Sequence, residues 1–187
     1  MSTLQSRLFP ERAPSARGVV YSRAWCMPSA DTFSMQPALD FCSRWLHGAA
    51  VVIDPFARNS RFGTIRNDLN PATQAEHHLP AVEFLRGLDV RADAVIFDPP
   101  YSPRQIAECY AAAGLSATMV DTQSAAMKSE ARDLLAALIR PGGVALSFGW
   151  NSVGFGAGRG FELLEVLLLC HGGDHNDTIC IAERRLG

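Results

Sequence analysis

Four consecutive residues, Asp98-Pro99-Pro100-Tyr101, concentrate the chemistry this chain could perform. An exocyclic amino nitrogen is a poor nucleophile because its lone pair is delocalised into the ring. A carboxylate and a backbone carbonyl that accept its two hydrogens hold that nitrogen closer to tetrahedral. The lone pair then points at a methyl group carried by a sulfonium donor. Asp98 supplies the side-chain acceptor, and the Pro99 carbonyl is the natural second one. Tyr101 offers an aromatic face on which an extruded base can stack. The remainder of such a reaction is positioning for in-line transfer. The same four residues also suit a plain strand-end turn with a surface tyrosine.

A second segment, Val51-Val52-Ile53-Asp54-Pro55-Phe56-Ala57-Arg58-Asn59-Ser60, is an apolar run that ends in an acid and a tight loop. Such a loop brings backbone close to a bound cofactor. Asp54 is the candidate for its ammonium group, with Pro55, Phe56, Ala57 and Asn59 in the loop. Asp68 or Asn70, further on, are candidates for ribose hydroxyls. Asp54 serves equally well as a cap of an ordinary turn. Upstream, Phe33 in Asp31-Thr32-Phe33-Ser34-Met35-Gln36-Pro37 is placed either to lie on an adenine ring or to staple the following helix.

Trp150 and Asn151 follow another apolar run, and His175, Asn176 and Asp177 sit in a turn rich in glycine. Trp150 is a candidate for stacking on substrate, and the other four for hydrogen bonds to it. The histidines and Asn176 equally suit satisfying backbone groups in that turn. No third ligand with supporting spacing accompanies His171 and His175, so no metal site is expected.

These residues need elements to place them. Apolar residues at 35, 38, 39, 41, 42, 45 and 46 have a helical period, with Ser34 as N-cap and Pro37 in the first turn. Ala49 to Ile53, Thr64 to Leu69, and Ala94 to Phe97 read as short strands. The third must leave the sheet at Pro99-Pro100, because prolines do not sit inside a central strand. Ser102-Pro103-Arg104-Gln105 has the form of a capping box, opening a helix to about Ala113 that Gly114 stops. Ser124 to Ile139 is a further amphipathic helix, closed by Arg140-Pro141-Gly142-Gly143. Val144 to Gly149, Phe161 to Cys170 and Thr178 to Glu183 complete the strands. Strands alternating with helices imply an α/β fold with a mainly parallel sheet, to which the final hairpin adds one antiparallel strand. In such sheets ligands bind beyond the carboxyl ends of the strands, where Asp98 falls.

The bulk numbers agree. The 187 residues, 48% hydrophobic and 19% charged, suit a single domain over residues 19–187 behind a flexible basic leader over residues 1–18. That leader carries Arg7, Arg12 and Arg17 and has no continuous apolar core, and no apolar run reaches a membrane-spanning length of about 18 residues. A cytoplasmic protein without a membrane partner is expected. Five scattered cysteines without a C-x-x-C pair argue against a disulfide framework or zinc knuckle. A net charge of −2 argues against a strong non-specific grip on nucleic acid.

With Asp98-Pro99-Pro100-Tyr101, the Asp54 loop and the Phe33 segment in that order, the chain resembles the DNA adenine-N6 methyltransferases. It looks most like the small members found in phages and mobile elements. The resemblance extends over roughly residues 20 to 185 and includes Phe148-Gly149-Trp150-Asn151-Ser152 and His171-Gly172-Gly173-Asp174-His175-Asn176-Asp177-Thr178. It implies a Rossmann-like class I methyltransferase with a seven-stranded sheet and an antiparallel C-terminal hairpin at one edge. It also implies S-adenosyl-L-methionine as donor and adenine in DNA as acceptor. The residues departing from the pattern are Arg58, where the family places glycine, and Ser60, where it has a second one. Only thirteen residues separate Asp54 from Asp68, so the first crossover helix must be reduced to a turn or lost. The long target-recognition insertion of restriction-linked members is absent, so a partner or dimer is a candidate for target recognition. An RNA amino-methyltransferase and a non-catalytic module that only binds donor or partner are the competing readings. A nicotinamide enzyme is disfavoured, since no G-x-G-x-x-G follows the first strand.

Overall fold

The computed structural model describes residues 18–116 and 125–187. Residues 1–17, which hold nearly all of the expected leader, and Ser124, the expected start of a helix, lie outside the described residues.

Seven strands form one sheet: β1 (Val20–Trp25), β2 (Val52–Asp54), β3 (Ile65–Arg66), β4 (Ala92–Phe97), β5 (Ile139–Gly149), β6 (Phe161–Cys170) and β7 (Thr178–Arg185). Their order is β1-β6-β7-β5-β4-β2-β3. Every pair is parallel except those made by β7, which runs antiparallel to both β5 and β6. The carboxyl ends of the other six strands therefore share one side of the sheet. The hairpin sits one strand in from the edge expected of it. β1, which no apolar alternation marks, pairs along β6 from Val20–Glu165 to Trp25–Cys170 and takes the edge itself.

Among the described residues four helices cover the faces: α1 (Gln36–Trp45), α2 (Ala81–Arg86), α3 (Pro103–Ala112) and α4 (Ala125–Leu138). Alternation along β4 decides which layer each residue joins. Ala94 and Ile96 pack with Phe41, Cys42 and Leu46 of the α1 layer, while Val95 and Phe97 pack with Leu85 of α2 and Leu135 of α4. Continuing that alternation past Phe97 turns Asp98 toward the α1 layer.

Two capping details position the site. The predicted box at the start of α3 forms: Ser102 Oγ accepts from Gln105 N at 3.2 Å, and Gln105 Oε1 accepts from Ser102 N at 3.1 Å. Gln105 Oε1 also accepts from Tyr101 N at 2.6 Å, so the box grips the backbone of the Asp98–Tyr101 segment directly. Ser34 does not cap α1. It ends a short 3-10 turn (Thr32–Ser34) whose cap is Asp31, and Met35 takes the N-cap position without a side-chain bond. Phe33 is held inside that turn, with its N–H bonded to Asp31 Oδ1 at 3.2 Å.

No helix joins β2 to β3, and a loop makes the crossover, as the thirteen-residue spacing requires. Its backbone is fastened to the chain just beyond β3 by Ala57 N to Asn67 O, 2.9 Å, and Arg58 N to Asp68 Oδ2, 2.9 Å. Among the described residues no helix is long and apolar enough to cross a membrane.

Candidate active site

The chain leaves β2 toward β3 on one side and later returns to β4 on the other, so the strand order reverses between β2 and β4. In open α/β sheets a ligand crevice lies beyond the carboxyl ends of the strands at such a point. Asp54 ends β2 and Asp98 follows β4, which puts both acids there.

The half-buried Asp98 carboxylate accepts the Tyr101 hydroxyl hydrogen and also a bond from Thr32. Burial raises its pKa to about 6, against the lowering effect of those two bonds and of the Arg58 guanidinium. The Tyr101 hydroxyl, largely buried beside that carboxylate, is pushed well above its ordinary value. Thr32 adjoins Phe33, which lines a cleft of about 350 Å³ with Asn59, Ser60 and Phe62. Tyr101 lines a second cleft of about 120 Å³, with Pro99, Ser147 and Trp150. Asp98 is thus bonded to the margin of each cleft at once. Thr32 carries no motif signal of its own, and only its place two residues before Ser34 in the Phe33 segment hinted at it.

The cofactor candidates fall into two groups. Phe33 and Asn59 line the larger cleft. Phe33 meets Phe62 edge-to-face at 5.6 Å and Phe148 at 5.3 Å between ring centres, so its ring is a fixed apolar wall. Asp54 is fully buried. Its Oδ1 accepts from Phe56 N at 3.1 Å, and its Oδ2 has no partner among the described residues. Burial, with Asp98 and Asp68 nearby, raises its pKa to about 8. Pro55 gives its carbonyl to Asn67 Nδ2 at 3.2 Å, and Phe56 packs edge-to-face on Phe97 at 5.7 Å. Asp68 accepts from Arg58 N and from Asn70 N, each at 2.9 Å, and Asn70 in turn accepts from Ala72 N at 2.9 Å. These two residues therefore shape the loop floor through their own backbone bonds. Asn67, which sequence reasoning passed over, is 1% exposed and clamps Leu79 N and O as well as Pro55 O.

On the substrate side the structure joins some candidates and separates others. Trp150 lies against Tyr101 with ring centres 5.6 Å apart. Asn151 lines the second cleft and accepts from Val153 N at 3.1 Å. The turn between β6 and β7 overhangs the same side of the sheet but is two strands away. Asp177 Oδ1 accepts from His171 N at 2.9 Å, and His175 N donates to Gly172 O at 3.4 Å. His175 and Asn176 are exposed there. Lys128 and Arg132 of α4, absent from the sequence candidates, line the second cleft. Among the described residues no group of three or more His, Cys, Asp or Glu is placed to hold a metal.

No protein-family model matches the chain, and no curated protein matches it in sequence. Solved structures do match. The 1,6-didemethyltoxoflavin-N1-methyltransferase of Burkholderia thailandensis aligns over 84% of this chain and 80% of its own, at 14% identity and TM-score 0.53. TrmN from Thermus thermophilus aligns over 81% of this chain at 13% identity and TM-score 0.53, and NSun6 from Pyrococcus horikoshii over 78% at 14% and 0.51. The chain spans about half the length of these last two, 49% and 51%. At such identities the match defines the fold, which is that of Rossmann-like class I methyltransferases, a mostly parallel seven-stranded sheet with an antiparallel β6–β7 pair.

Proposed function

We propose that this chain transfers a methyl group from S-adenosyl-L-methionine to an exocyclic amino group, with adenine N6 in DNA as the acceptor. The fold supports the methyltransferase class, and two of the three neighbours named above carry a bound ligand, SFG in NSun6 and S-adenosylhomocysteine, beside its substrate, in the toxoflavin enzyme. The observation that carries the reading is the placement of Asp98: it stands at the switch point, bonded to the margins of two clefts.

The residues present fit the donor. Phe33 presents a ring wall for an adenine, with Asn59 and Ser60 as polar neighbours. The unpartnered, buried Oδ2 of Asp54 would be completed by an ammonium group, whose charge would draw the acid into its ionised form. When bound, the donor supplies a methyl group activated by a positively charged sulfur.

The chain's own residues do the rest. Asp98 accepts one amino hydrogen and the Pro99 carbonyl the other, which localises the lone pair on nitrogen. As the nitrogen gains the methyl group it gives up one proton. A carboxylate with a pKa of about 6 is suited to receive that proton and release it to water near neutral pH. Tyr101 and Trp150, whose rings touch each other at 5.6 Å between centres, offer aromatic surface on which the base stacks.

The test is methyl incorporation from labelled donor into DNA and RNA side by side, followed by nucleoside mass spectrometry. N6-methyladenine in DNA is expected, abolished by Asp98→Ala. Product in RNA alone would move the acceptor, and no donor binding by calorimetry would overturn the reading.

A further inference from the structure

The second cleft holds charge that the amine chemistry does not use. Lys128 and Arg132 stand four residues apart on α4, hence on one helix face, and both line the cleft. Ser147, 4% exposed near the carboxyl end of β5, lines it too, and its hydroxyl has no hydrogen-bond partner among the described residues. The buried Arg132 Nε is likewise without a partner. Two polar groups left unsatisfied beside one small cavity, Ser147 Oγ and Arg132 Nε, are costly unless a ligand completes them.

The neighbouring acids are committed elsewhere. Glu183 accepts from Phe155 N at 2.6 Å and Gly156 N at 2.8 Å, and Asp133 pairs with Arg159 at 2.6 Å. Arg132 is also fixed in direction, its guanidinium 4.7 Å over the Phe97 ring. Burial and mutual repulsion lower the pKa of Lys128, and burial together with Arg159 lowers that of Arg132, so both cations gain from an anion between them. At about 120 Å³ the cavity holds a few water volumes, which suits a tetrahedral oxyanion better than a whole nucleoside.

We propose that Lys128, Arg132 and Ser147 form a phosphate subsite beside Tyr101 and Trp150, which takes a backbone phosphate of the strand whose base those rings hold. This rests on the nucleic-acid reading above. It supplies a phosphate contact beside the candidate centre in a chain whose net charge is −2. Arg132 offers a planar fork, Lys128 a point charge and Ser147 a hydroxyl donor, three complementary ways to engage phosphate oxygens.

The test measures binding of a labelled, adenine-containing single strand by fluorescence anisotropy across a salt series. Lys128→Ala and Arg132→Gln should each weaken binding about tenfold and flatten the log–log salt slope by about 0.7, the loss of one phosphate contact on a single strand. Lys128→Arg should restore both, and Arg91→Ala, at the opposite end of β4, should change neither. Thermal melts identify any variant that fails to fold, and Lys128, only partly buried, keeps that variant informative. If wild-type protein methylates the strand while Lys128→Ala keeps its affinity and slope, the subsite is wrong and the catalytic reading stands. If no methyl transfer occurs but the slope still falls in the variants, the subsite stands and the catalytic reading fails. A wild-type protein that binds no strand overturns the subsite.

Discussion

The Tyr101 hydroxyl donates to the Asp98 carboxylate three residues before it, filling one acceptor position of the acid proposed to hold the amine. On the proposed reading, an amine binding at this oxygen would compete with the Tyr101 hydroxyl, freeing that ring to stack on the base. The bond also sets the acid's ionisation. Removing it in Tyr101→Phe deletes a donor that lowers the Asp98 pKa, so that pKa should rise above about 6. Because Asp98 must be ionised to accept the amine, kcat/KM should climb with pH through about 6 in wild type, and this limb should move to higher pH in the variant. Identical limbs in the two proteins would dissociate Asp98 from the rate.

Arg58 is the one residue other than glycine with positive φ among the described residues, at +49°. It stands where the resemblance places glycine, and a left-handed L-residue costs roughly 1–2 kcal/mol. Its guanidinium donates to the Ala30 carbonyl, which holds the Phe33 segment to the loop. A single variant would mix the two effects. Arg58→Gly and Arg58→Ala both lose the guanidinium, and only glycine relieves the backbone. Denaturant unfolding should find the glycine variant more stable than the alanine variant by about 1 kcal/mol, the reverse of the usual ranking outside turns.

Much of this arrangement is legible in the residues because local and tertiary demands agree. The Ser102–Gln105 box, the break at Pro99-Pro100, the bounds of β6 and the loss of the first crossover helix all follow from spacing and turn chemistry. β1 escaped notice because five of its six residues are exposed, so its place depends on the hydrogen-bonding edge of β6 and not on an apolar face. α2 has only six residues, too few for a period to show. β5 runs back to Ile139 through Pro141-Gly142-Gly143, residues that read as a loop; the parallel pairing of Ala92 with Ile139 holds its start. The pair of clefts could not be read from spacing at all. Lys128 and Arg132 sit on a helix about 30 residues after the motif, and only folding brings them beside Pro99 and Tyr101.

Asp54 makes stability depend on pH. Its folded pKa of about 8 lies far above the ordinary carboxylate value. Between those values the folded state holds a proton that the unfolded state has released, so raising the pH favours unfolding. Stability from this group is complete at low pH and is lost as pH climbs through about 8. Asp54→Asn keeps a neutral side chain and the acceptor for Phe56 N. Denaturation midpoints should fall less between pH 5 and 8 in Asp54→Asn than in wild type. Parallel profiles would show that Asp54 is ionised in the fold.

Glu183 organises the segment that carries Trp150 and Asn151. It is 3% exposed on β7 and receives two backbone N–H groups, from Phe155 and Gly156. Gly154, at φ +54°, packs so close that any added Cβ would collide with this carboxylate. Charge-assisted bonds of this kind are worth about 1.5–3 kcal/mol each, and a buried N–H left unpaired costs a comparable amount. Glu183→Ala should therefore destabilise the fold by roughly 3 kcal/mol, and Glu183→Gln by less, since its amide oxygen can still accept. Gly154→Ala should resemble Glu183→Ala in loosening the loop while leaving the carboxylate in place. Hydrogen exchange at Phe155 and Gly156 discriminates a local from a global effect: both amides should exchange faster in each variant while β4 stays protected. Unchanged protection at these two amides would mean the loop is held by something other than Glu183.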